Sequence, residues 1–269
     1  MEVSAMAEFI DRKKIKSEAK TLARDAQVSP KAFFALYLGI MLALDIASAV
    51  AVGDSSVTTI FSNPLGLFTM ILTDLVVLIL GVGAYLYCFG IRRGERVEVL
   101  SLFDGFSFVG KIIELYAVEY LFVTLWTFAF IVPGFIALYR YRFAVLNLCE
   151  DPSMSVFDAI NMSKRQTFGY KGQLFALDLS YIGWMLLANS GTLYFQIAYQ
   201  LSAYNVYTLP GLNLAGWISV AIQDVIVLAV GIFYLPSFHL SELGYFETAK
   251  RTSGTGVGIV PRDPGPDNI

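Results

Sequence analysis

The sequence predicts an all-α integral membrane protein: a bundle of about six transmembrane helices, with a helical hairpin at a Pro-Gly step and short amphipathic surface helices. Three observations carry that expectation. The chain of 269 residues is 56% hydrophobic and 15% charged, whereas a soluble domain is about 25% charged. Several apolar runs reach the roughly 20 residues that span a bilayer core. The lysines and arginines crowd into some connections and avoid others, as they do when only some loops are cytoplasmic.

Residues 1–31 form a basic amphipathic N-terminal segment. Ile15, Ala19, Leu22 and Ala26 recur there at helical spacing, opposite Lys and Arg. Such a helix suits either an anionic membrane surface or solvent. Ser29-Pro30 supplies an N-cap and a first helical residue for the next helix. The transmembrane domain covers 32–236, with spans at 32–52, 64–91, 112–131, 134–149, 173–194 and 214–236. The first run ends in ASAVAVG, which is similar to a signal-peptidase site. Its apolar core of about 20 residues exceeds the roughly 7–15 of a signal peptide, so it reads as a retained helix. Gly39, Ala43, Ala47 and Ala51 give it a stripe of small residues open to close helix approach. Residues 150–172 read as a cytoplasmic surface segment. In it Ser155 and Asp158 have capping-box spacing, and Val156, Ala159 and Ile160 would form the inner face of a short helix. Residues 237–269 read as a cytoplasmic tail, disordered from about 252.

The stretch FIVPGFIALYRYRF decides the topology. Pro133-Gly134 either kinks one span or joins two. Residues 1–31 hold seven basic residues, 92–111 four, 139–173 five and the stretch after 236 three, while the loops after the first and fifth spans hold none. A single kinked span would put the last two groups outside. A hairpin turning at Pro133 and Gly134 keeps nearly all of them, and both termini, in the cytoplasm. The returning helix then carries Arg140 and Arg142 about 10 Å into the membrane, where each needs a partner. Asp45, Asp74 and Asp224 fall in the same outer half. Together the five residues form a hypothesised buried charge cluster.

Two readings of that cluster stay open. One is an ion or proton pathway, with Arg140 as counter-charge to the aspartates. The other is structural, with the carboxylates paired to arginines or tyrosines. Enzyme chemistry has little support. The single histidine, His239, and the two cysteines, Cys88 and Cys149, form no spaced set, so no catalytic residue, metal site or cofactor is expected. The leading expectation is a non-enzymatic membrane scaffold or partner- and lipid-binding protein. Its partners would be the bilayer and a membrane or cytoplasmic protein, not nucleic acid. The alternative is a small transporter or channel using the membrane-embedded carboxylates.

From Pro133 onward the chain resembles a family of bacterial integral membrane proteins catalogued as a domain of unknown function, number nine-seven-five. The matching features are Pro133-Gly134, Tyr139, Tyr141, Asp151-Pro152, Ala159, Ser163, Gly169, Phe175 and the run Ser180-Tyr181-Ile182-Gly183-Trp184. IKSEAKTL and LPSFHLSELGYFETAK are similar to the family's opening and closing segments. Arg142 stands where the family usually has a small polar residue, and Tyr245-Phe246 inverts its Phe-Tyr. The resemblance implies a multi-pass protein of the bacterial plasma membrane and brings no activity with it.

Overall fold

The computed structural model describes residues 8–52, 63–203 and 216–256. The polar loop after the first span, most of the Tyr-rich connection and the tail expected to be disordered fall largely outside them. Among the described residues the chain is all-α, with no strand. Its helices are α1 (Arg12–Asp25), α2 (Pro30–Val52), α3 (Pro64–Arg93), a 3-10 helix (Val99–Phe108), α4 (Val109–Ala129), α5 (Ile131–Tyr141), α6 (Ala144–Glu150), α7 (Val156–Gln166), α8 (Lys171–Leu179), α9 (Ile182–Ala188), α10 (Ser190–Ala203) and α11 (Gly216–Thr252).

Three of them, α2, α3 and α11, are long and apolar enough to cross a membrane. The most apolar window of α11 is only 6% buried by the rest of the chain. An apolar face of that size calls for a non-aqueous solvent. The other expected spans have a different form. Residues 134–149 are not one helix, because the chain leaves α5 at Arg142 and restarts as α6. Residues 173–194 divide among α8, α9 and α10, with breaks at Ser180 and Asn189. Conversely, α11 runs through Pro236 to Thr252, where a tail was expected. The proline withdraws one helical donor, and the apolar helical pattern on both sides keeps the helix going.

The chain divides into two compact units. The first comprises residues 1–30, 79–180 and 236–269, the second 31–78 and 181–235. In the second unit, Phe33, Phe34 and Leu38 of α2 are buried. Gly231 of α11 leaves room for Leu38, whose Cδ1 lies 2.6 Å from where a Cβ would stand. Trp184 stacks on Tyr234, and the Lys31 amine lies over the Phe233 ring. Gly39, in the small-residue stripe, meets open space.

In the first unit, Phe246 of α11 is packed edge-on by Phe89 and Phe143. The apolar face of α1 packs partly against the protein. Ile15 and Ala19 are buried, and Ile15 packs at Gly244 of α11. Asp11 caps α1 through the amides of Lys13 and Lys14. Ser155 caps α7 through the Asp158 amide, and Val156, Ala159 and Ile160 are its buried face, as the spacing suggested. Between α6 and α7 the amides of Asn147 and Gln166, both buried, exchange two hydrogen bonds of 3.0 and 2.9 Å. Asn147→Ala is expected to cost about 1–3 kcal/mol by leaving Gln166 Oε1 without its donor, while Gln166 Nε2 keeps Thr255 Oγ1. Thermal unfolding would check it, and an unchanged midpoint would mean that water reaches the pair.

Helices α4 and α5 form an antiparallel pair. The break between them is at Phe130, which is extended, with φ −162° and ψ 146°. Pro133 and Gly134 therefore lie in the first turn of α5 and are not the turn itself. Proline suits that place, since the first helical N–H groups have no intrahelical acceptor. Gly134 serves close packing: a Cβ there would sit 2.2 Å from Thr127 Oγ1 and 3.0 Å from Thr127 Cα.

Candidate functional site

The main concentration of buried charge in the first unit surrounds Arg142, which follows the last turn of α5. Its Nη1 and Nη2 donate to Asp178 Oδ2 and Oδ1 of α8 at 2.7 and 2.9 Å. Its Nε donates to Glu242 Oε1 of α11 at 2.5 Å. The guanidinium also lies over the rings of Tyr139 and Phe238. Tyr139 donates its hydroxyl proton to Asp178 Oδ2, and Tyr85 of α3 donates to Glu242 Oε2. His239 stands edge-on to Tyr85, its Nδ1 4.0 Å from Glu242.

Glu242 is 2% exposed and Arg142 16%. A charge removed from water this far is tolerated only when paired and hydrogen-bonded. Here each oxygen of both carboxylates accepts a hydrogen bond, and the fork of Arg142 matches Asp178 bidentately. The network thereby ties α3, α5, α8 and α11 together. A second ion pair reinforces it: Arg92 of α3 donates to Glu247 of α11, to Glu18 of α1 and to the Leu240 carbonyl. Lys250 donates to Glu150 at the end of α6.

The five residues of the expected cluster divide between the two units. Arg140 and Arg142 belong to the first unit, and Asp45, Asp74 and Asp224 to the second. The acids paired with Arg142 are Asp178 and Glu242. Arg140 contributes its carbonyl, which accepts from Ser163 Oγ and Thr167 Oγ1. The three aspartates are within reach of one another's charge, Asp45 with both Asp74 and Asp224. Asp224 Oδ2 is buried without a hydrogen-bond partner among the described residues.

Sequence reasoning missed Glu242, Tyr85 and His239. The signal was there in part: His239 and Glu242 are three apart and share a helix face. Reading Pro236 as the end of the last helix assigned both to a tail. Among the described residues no group of three or more His, Cys, Asp or Glu side chains is placed to hold a metal ion.

No curated protein and no solved structure matches the chain. The family model described as "Protein of unknown function (DUF975)" matches residues 129–252. That stretch runs from the end of α4 to the end of α11 and contains Arg142, Asp178, His239 and Glu242. The chain thus carries a DUF975 domain over residues 129–252.

Proposed function

We propose that this is a non-enzymatic, multi-pass plasma-membrane protein whose first unit, rich in Lys and Arg, faces the cytoplasm and binds lipid or a protein partner there. The observation that carries the reading is the segregation of charge. Among the described residues every lysine and arginine except Lys31 lies in the first unit. The charged residues described in the second unit are Lys31, Asp45, Asp74 and Asp224. Segments that concentrate Lys and Arg are the ones the positive-inside rule places on the cytoplasmic side, whatever their net charge. The closed network around Arg142 fits a fixed brace better than a carrier, since every charge in it is already engaged.

The test is sidedness. With Cys88 and Cys149 replaced by alanine, a single cysteine at the exposed Asn161 of α7 is expected to resist a membrane-impermeant thiol reagent in intact cells and to label after permeabilisation. Labelling of intact cells would overturn the reading.

The aspartates of the second unit favour a second reading, proton or ion movement, because Asp224 has an unpartnered buried oxygen beside Asp45. Under the scaffold reading, Asp74→Asn and Asp224→Asn change no pH-dependent flux in proteoliposomes. A flux present in the parent and lost in either folded variant would establish transport instead.

A further inference from the structure

The α4–α5 pair has a short protruding part. Helix α7 meets it at the level of Phe122, Arg140 and Tyr141. Ser163 and Thr167 donate to the Arg140 carbonyl at 2.9 and 3.2 Å. The Lys164 amine lies 5.8 Å from the Tyr141 ring centre and 6.0 Å from that of Phe122. Lower down, Lys111 of α4 donates to the carbonyls of Pro152, Ser153 and Met154. Below Phe122 the pair is thus tethered to α7 and to the turn at residues 152–154. Beyond Phe122 each arm extends about ten residues, or roughly 12–15 Å at 1.5 Å per residue. A bilayer core is about 30 Å thick, so the protrusion has the depth of one leaflet.

The chemistry of the protrusion agrees. From Phe128 to Leu138 there is not one polar side chain. Phe128, Phe130, Ile131 and Val132 at the apex are 85, 75, 70 and 68% exposed. A turn emerging into water on the far side would carry polar residues. Part of the backbone polarity of this one is met internally. Phe130 N–H bonds the Trp126 carbonyl, Gly134 N–H bonds the Phe130 carbonyl, and Pro133 has no N–H. At the base stand three cations, Arg140, Lys164 and Lys171. Among the described residues none of them makes an ion pair. Burial, and then the charge of Arg140, holds both amines below the ordinary lysine value, a penalty that an adjacent phosphate would relieve.

We propose that the α4–α5 hairpin enters one leaflet and turns back within it, with Arg140, Lys164 and Lys171 taking the phosphates of anionic lipid headgroups at its base. This rests on the cytoplasmic placement of the first unit, and the Asn161 cysteine reports that placement separately.

The experiment places a single cysteine at Val132, and independently at Phe130, in the full chain lacking Cys88 and Cys149. Both positions are expected to resist impermeant thiol reagent added to either side. A fluorophore attached there during purification is expected to be quenched more by spin labels at the acyl-chain ends than by headgroup labels, in phosphatidylglycerol–phosphatidylcholine liposomes. Labelling from the side opposite Asn161 means a full crossing, and labelling from the same side means a surface hairpin. Either overturns the proposal while the sidedness result stands. Lys164→Gln combined with Lys171→Gln is expected to retain at least twofold less phosphatidylglycerol by native mass spectrometry. Equal retention overturns the headgroup assignment.

Discussion

Arg142→Met is expected to destabilise the first unit by about 3–5 kcal/mol, the cost of stranding a buried charge by removing its partner. Glu242, at 2% exposure, keeps only the Tyr85 hydroxyl, and Asp178 keeps only Tyr139. Thermal unfolding of the purified protein in detergent, followed by recovery of the monodisperse species, would measure it. Arg142→Lys is expected to recover only part, because an ammonium cannot serve both oxygens of Asp178 and Glu242 at once. The triple variant Arg142→Met, Asp178→Asn, Glu242→Gln removes all three charges and is expected to restore most of the loss. If the single variant melts with the parent, the network is hydrated and the helices are held by packing alone.

Gly83→Ala is the second large effect. A Cβ at Gly83 of α3 would stand 1.9 Å from the Leu102 carbonyl oxygen of the 3-10 helix. Gly105 answers from the other side, where a Cβ would come 2.7 Å from the Ile79 carbonyl. Both obstacles are backbone, so relief requires the two elements to separate. The expected cost is on the order of 3 kcal/mol, at the upper end of overpacking effects. Gly110→Ala in α4 is the control. It meets nothing within 4 Å, and alanine in a helix is favoured over glycine by about 0.5–1 kcal/mol. Opposite signs for these two substitutions in the same unfolding assay are the expected result. A harmless Gly83→Ala would mean that the 3-10 helix can move off α3 at little cost.

Local physics was legible in the sequence where it governs locally. The apolar face of α1, the Ser155 cap of α7 and the interruption of the run near Pro133 each depend on residues within a few positions of one another. The exact place of that interruption did not follow, because a proline after a break and a proline within a turn look alike until the helix start is known. The partners of Arg142 were beyond reach for a different reason. Asp178 and Glu242 lie 36 and 100 residues away, and nothing in the local spacing selects them over Asp45 or Asp74. The length of α11 was hidden by giving Pro236 the weight it has in a soluble helix.

The bonds of α1 have a consequence in time. Glu18 can meet Arg92 once α3 is made, whereas Ile15 packs at Gly244, which is made much later. At about 5–20 residues per second, the ribosome needs roughly 10–50 s to travel between them. For that interval Ile15 lacks its packing at Gly244, and for much of it Arg92 lacks the Glu247 carboxylate that engages it twice. The first unit therefore closes only after Gly244 and Glu247 are made, and a nascent chain stopped before Gly244 presents an open, basic and partly apolar α1 to chaperones and proteases.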